Sequence, residues 1–145
     1  MKVPPIDERT RIIDATGLIL GRMASIVAKK LLNGEKIIIV NAEKAVISGD
    51  KYIIINQYRD YLQIGHPGKG PLHPRRPDRM VRRAIRGMLP YKQPRGRDAF
   101  KRLRVYMGVP TELRGRPMET IPEASASRLK GRYITVLEAS QHIKG

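Results

Sequence analysis

The sequence predicts an α/β fold, and three observations predict it. A strand–helix–strand pattern fills residues 11–42, its helix carries one apolar stripe, and its second strand is apolar without alternation. "RIIDA" (11–15) is a short β-rich run followed by the turn residues Thr16 and Gly17. Leu20, Met23, Ala24, Val27 and Leu31 then recur at helical spacing, which gathers them on one face. Asn33-Gly34 closes that helix, since both residue types tolerate the left-handed conformation of a C-terminal cap. "KIIIVNA" (36–42) suits a strand buried on both faces, as in parallel sheets. A right-handed βαβ crossover follows.

The remaining elements are read in order. "AVISG" (45–49) is a further short extended piece. Residues 51–63, "KYIIINQYRDYLQ", fit two descriptions. Ile54, Tyr58, Tyr61 and Leu62 line one helix face, whereas three adjacent isoleucines favour a strand. "IGHPGKGPLHPRRP" (64–77) holds four prolines and three glycines and supports no regular element. Such a connector is expected to be mobile alone and ordered against a partner. A helix over 79–89 follows, with Pro77 suited to its first turn and Asp78 to its positive end. Arg79, Arg82, Arg83 and Arg86 stack on one side, and Met80, Val81, Ala84, Ile85, Met88 and Leu89 occupy the other. Pro90 stops this helix, "YKQPRGR" continues as a basic loop, and "DAFKRL" forms a short helix. Residues 103–109 alternate like a strand, with Leu103, Val105, Met107 and Val109 on one face. The tail offers a short helical start, a strand at 133–136 and a terminal helical turn. Nothing signals an internal repeat or a second domain, so one domain over 1–145 is expected, with a basic segment at 64–104.

Charge points to the partner. The 145 residues carry 29 Lys and Arg against 13 Asp and Glu, a formal charge of +16. Between Arg75 and Arg104 there are twelve basic residues and two acidic ones, a net of +10, and the rest of the chain nets only +6. Charge concentrated in this way is a footprint for a polyanion. An ordinary solvated helix face mixes Glu with Lys at i,i+4 spacing, worth a few tenths of a kcal/mol per pair. This face forgoes that help. A membrane-surface helix would carry bulky Trp, Phe or Leu on its apolar side, and here that side contains Ala and Met. Guanidinium forks suit phosphate. Nucleic acid is the reading that remains.

Aromatic residues make up 5% of the chain, too few for the stacking platforms of single-strand binders. Tyr91 is the one candidate for stacking, with core packing as its alternative. No recognition helix begins with base-reading Asn or Gln. Gly87 costs ~1 kcal/mol relative to Ala inside a helix, so it either admits another backbone closely or eases packing. The pattern favours folded RNA recognised by shape and phosphate.

Catalysis and cofactors find no support. Cysteine is absent, which removes disulfides and thiolate zinc sites. His66 and His73 have no carboxylate or thiolate nearby in sequence, and the serines lack His/Asp partners. The glycine pair in "GLILGRMAS" lacks the Gly-Lys-Ser/Thr of a phosphate loop; Arg22 beside it either meets a phosphate or is simply a surface residue. No enzyme activity, cofactor, metal, small-molecule substrate or membrane partner is expected. The N-terminus has no signal-peptide run and no stretch approaches the roughly 20 apolar residues of a span, so a cytoplasmic protein is expected.

"DATGLILGRMAS", "VNAEKAVISG", "RRPDRMVRRAIRGMLP" and "GRDAFKRLRVYMGVP" resemble the universal family of large-subunit ribosomal protein thirteen, over about Ile12 to Pro110. "GHPGKGPLHPRRPD" and "ASASRLKGRYITV" resemble its archaeal branch. The resemblance implies a three-layer α/β/α core around a small parallel or mixed sheet of about four strands, with a basic loop–helix extension. It also implies binding to 23S-type large-subunit ribosomal RNA beside neighbouring ribosomal proteins, in a scaffolding and assembly role. The motif positions that carry over are Arg86, Gly87, Pro90, Gly96 and Arg97. The charge argument adds Lys69, Arg75, Arg76, Arg79, Arg82, Arg83, Lys92, Arg95, Lys101 and Arg102 as RNA contacts, and the stacking reading adds Tyr91. A free-standing nucleic-acid-binding regulator and a nucleotide-dependent enzyme on the βαβ unit are the competing readings.

Overall fold

The computed structural model describes residues 3–64 and 76–144. Strand β1 (Thr10–Asp14) leads through helix α1 (Leu20–Leu32) to β2 (Lys36–Val40), and β1 and β2 pair in parallel, Ile12 opposite Ile38 and Ile13 opposite Ile39. The expected βαβ unit is present. In α1, Leu20, Met23, Ala24, Val27, Ala28 and Leu31 are buried on one stripe. Its end relies on Gly34 alone, whose φ of 93° is left-handed, while Asn33 stays at −80°. The Gly34 N–H donates to Leu31 O at 3.0 Å, satisfying one of the last carbonyls of the helix.

β2 is the central strand of a three-stranded parallel sheet ordered β1–β2–β4, where β4 is Leu103–Val105. This position explains its unbroken apolar run. Ile37 and Ile39 enter the large core beneath the helices, and Ile38 and Val40 enter a smaller one on the opposite face. Each such fully buried side chain is worth about 1.5–3 kcal/mol of transfer free energy. The smaller core is closed by Tyr106, Leu113 and the half-buried Val3, Ile6, Val109 and Met118, so irregular segments cover that face. Strand β3 (Val46–Ser48) pairs antiparallel with β5 (Tyr133–Thr135) in a separate two-stranded sheet. The α/β class holds, with the strands divided three and two rather than joined in one sheet of about four.

The 51–63 ambiguity resolves as helix α2 (Lys51–Ile64). Asp50 settles it locally: its carboxylate accepts from the Tyr52 N–H at 2.9 Å, and its carbonyl accepts from the Ile54 N–H at 3.0 Å. Of the three isoleucines, Ile54 and Ile55 are buried and Ile53 faces solvent. The connector 65–75 lies outside the described residues.

Helix α3 runs Pro77–Arg86, so it ends before the predicted Leu89. Pro77 sits in its first turn, and Asp78 accepts from the Arg79 N–H at 2.9 Å. Residues 87–89 form a turn, with Met88 N–H donating to Ile85 O and Leu89 N–H to Arg86 O; Met88 is exposed while Leu89 remains buried. Helix α4 (Pro94–Lys101) absorbs the second half of the predicted basic loop, because Pro94 starts it as Pro77 starts α3. The predicted strand 103–109 stops at Val105. Leu103 and Val105 pack on the helical side, but Val109 packs on the opposite core, so the predicted single face is not kept. Gly108, at φ 62°, turns the chain there, and its N–H donates to the Glu43 carboxylate at 3.1 Å. The tail contributes a 3₁₀ turn at Ala126–Arg128, β5, and helix α5 (Val136–Lys144). Among the described residues no helix is long and apolar enough to cross a membrane.

Candidate nucleic-acid interface

Met80, Val81 and Ile85 anchor α3 in the large core, and this burial turns the opposite side of the helix outward. Arg79, Arg82 and Arg83 are exposed and Arg86 is half-buried. Five ion pairs occur among the described residues, and one of them falls within 76–104: Arg76 to Asp78, at 3.4 Å. The arginine face is therefore almost unneutralised from within, and exposed pairs of that length contribute little.

Two of these arginines are braced. The Arg82 guanidinium carbon lies 4.6 Å from the centre of the Phe100 ring, and that of Arg86 lies 4.1 Å from the centre of Tyr91. The two rings meet edge to face at 5.7 Å. Cation–π contacts of this kind are worth about 0.5–1 kcal/mol at exposed sites. Their larger effect here is geometric, since they hold two flexible side chains in fixed directions. Tyr91 thus supports an arginine on one face of its ring, so the stacking role weighed for it in the sequence is left to the other face.

The loop that carries Tyr91 is held by the Gly96-Arg97 pair. Gly96 is buried against the Pro90 backbone. The Arg97 guanidinium donates to Lys92 O at 3.1 Å and reaches Tyr91 O at 3.5 Å. Both residues, expected among the RNA contacts, thereby have internal work. So does Arg102, which is half-buried and donates to Leu31 O at 2.5 Å, at the carbonyl end of α1. Gly87 differs from Gly96: it is exposed, its φ is −64°, and a Cβ there would meet only ordinary contacts at 3.6 Å. The fold has no packing need for glycine at that position.

Lys92, Arg95 and Lys101 are exposed, and Arg76 is exposed at the start of α3. Lys69 and Arg75 lie outside the described residues. The sequence reading missed Arg104, which joins the surface from β4 and is tied down by hydrogen bonds to Lys101 O at 2.9 Å and Leu103 O at 2.8 Å. Its position between the inward residues Leu103 and Val105 was the available signal. Phe100 was missed as well, because its role depends on contacts with α3 that spacing does not reveal.

The profile described as Ribosomal protein L13 matches residues 8–112. The chain belongs to this family. The match agrees closely with the stretch from Ile12 to Pro110 that carries the resemblance in sequence. Similar family members include a large ribosomal subunit protein uL13 from Archaeoglobus fulgidus, 52% identical over 134 residues, covering 91% of this chain and 86% of the relative. The protein of that description from Methanosarcina barkeri is 55% identical over 132 residues, 90% of this chain and 94% of its own. That from Methanopyrus kandleri is 48% identical over 143 residues, 96% of this chain and 90% of its own. The archaeal resemblance of the connector and tail accords with these relatives. The family is one of structural ribosomal proteins, not enzymes.

Proposed function

We propose that the chain is a structural constituent of the large ribosomal subunit, that it binds large-subunit ribosomal RNA of the 23S type through the segment 64–104, and that it supports subunit assembly beside neighbouring ribosomal proteins. The observation that carries this reading is the outward row of Arg79, Arg82, Arg83 and Arg86 with a single weak ion pair at its border. Uncompensated guanidinium groups repel one another, and phosphate at hydrogen-bonding distance offsets that repulsion. The relatives' description as large ribosomal subunit proteins supports the choice of RNA. Lys69, Arg75, Arg76, Lys92, Arg95 and Lys101 extend the contact to either side.

Sedimentation of a lysate through a sucrose gradient at moderate salt tests this. Most of the protein is expected with the large subunit. A protein found chiefly in the soluble fraction would favour a free-standing regulator instead.

A further inference from the structure

The arginine helix borders two separate grooves. The first, of about 600 Å³, is lined by Arg79 and Arg82 of α3, Lys101 of α4 and Arg104 of β4, with Asp78 as its one acid. The second, of about 540 Å³, is lined by Arg83, Arg86, Gly87, Tyr91 and Lys92, among others. No residue lines both. The stack Arg82–Phe100–Tyr91–Arg86 runs from one to the other as a partition, with Arg82 in the first and Arg86 and Tyr91 in the second.

The first groove continues away from α3. Lys101 and Arg104 also line a smaller depression of about 200 Å³ that reaches Thr10 and Lys36. A chain lying in the first groove is thus led across the edge strand β4 toward β1 and β2, and not along α3 into the second groove. At the partition a guanidinium group lies over each ring, which reduces the ring surface open to base stacking. Both grooves present cations from more than one element, which is suited to ribose-phosphate backbone.

We infer that this surface grips two distinct backbone segments of one folded RNA. One segment lies across Arg79, Arg82, Lys101 and Arg104, and the other lies on Arg83, Arg86 and Lys92. The inference rests on the RNA reading proposed above and adds to it: the protein clamps two RNA segments together, and Arg104 and Lys101 belong to a phosphate site of their own.

Absence of cysteine makes the test direct. Val105→Cys places a tethered iron chelate in the first groove and Gln93→Cys places one in the second. Each protein is bound to a transcript of archaeal 23S ribosomal RNA, and hydroxyl-radical cleavage is mapped. Two cleavage clusters in separate stretches of the RNA are expected; cuts from both tethers within one short continuous stretch would overturn the inference. In parallel, salt titrations compare a variant with Gln at 79, 82 and 101 with one carrying Gln at 83, 86 and 92, after thermal melts establish that both fold. Each should shallow the slope of log affinity against log salt by roughly two to three units, with the combined variant giving the sum. If one set leaves the slope unchanged, the two-segment inference falls and the RNA reading stands. If both sets leave it unchanged, the RNA reading falls too.

Discussion

Gly96 and Pro90 approach so closely that a Cβ on Gly96 would lie 2.0 Å from the Pro90 carbonyl oxygen. The clash is with backbone, which has no side-chain freedom to move aside. Gly96→Ala is therefore expected to cost at least about 1–3 kcal/mol, the range for overpacking. It should also loosen the loop that seats Tyr91 beneath Arg86. Urea unfolding of the variant checks the first effect, and an unchanged midpoint would contradict it.

Gly87→Ala is expected to behave in the opposite way. Its backbone is already helical and a Cβ has room, so the change should leave stability unaltered or raise it by up to ~1 kcal/mol. Because the glycine is exposed beside Arg86, the added methyl should weaken RNA binding by obstructing close approach. A melt together with a binding titration separates the two effects. Full affinity in the variant would remove Gly87 from the contact surface.

Arg102 is a basic residue with a partner inside the fold. Its hydrogen bond to Leu31 O is charge-assisted and half-buried, and such bonds are worth about 1.5–3 kcal/mol. Arg102→Gln should lower stability by that order while leaving the salt slope of RNA binding within error of the parent. A shallower slope with unaltered stability would return Arg102 to the RNA surface.

These contrasts mark where sequence reasoning reaches its limit. The unbroken run Ile37–Val40 suited a strand with core on both faces, and the stripe on α1 suited one buried side, so the βαβ unit was legible. The arginine row on α3 was legible for the same reason, since local periodicity determines which side chains share a face. What escaped depends on contacts that local periodicity does not encode. Gly96 argues against a helix on propensity alone, and its reason, the Pro90 backbone, appears only when the two are packed. The turn at Gly108 that follows β4 is held by Glu43, 65 residues away. The bracing of Arg82 by Phe100 likewise joins two helices whose contact no spacing predicts.

Acid stability should depend on Asp14, whose carboxylate accepts from Thr16 N at 2.9 Å, Thr16 Oγ1 at 2.6 Å and the Asn41 side-chain amide at 3.1 Å. Burial pushes this carboxyl up, but the Thr16 and Asn41 hydrogen bonds and the charge of Lys44 together outweigh it and hold its pKa below the ordinary 3.8. A carboxyl with a lowered folded pKa contributes stability above its unfolded pKa, and that contribution fades as pH falls through the folded value. The urea midpoint of the parent should thus fall between about pH 5 and pH 2 more steeply than that of Asp14→Asn, with the variant less stable at pH 7. Parallel curves over that range would show that Asp14 adds nothing to the linkage.

The two faces of α3 should be separable by mutation. Replacing Arg79, Arg82, Arg83 and Arg86 with Gln retains good helix formers and leaves Met80, Val81 and Ile85 in the core. The loss of two cation–π contacts, about 0.5–1 kcal/mol each, opposes the relief of like-charge repulsion, so the protein should remain folded with its melting temperature little changed. RNA affinity should fall, and the slope of log affinity against log salt should shallow by up to roughly three or four units if each arginine meets one phosphate. Ile85→Ala should do the reverse. Its side chain is fully buried, so truncation should cost about 2–5 kcal/mol, while the protein that stays folded retains the parental salt slope. If the Gln variant unfolds, or binds RNA with the parental slope, the arginines serve the fold and the outward face of α3 is not where the phosphates lie.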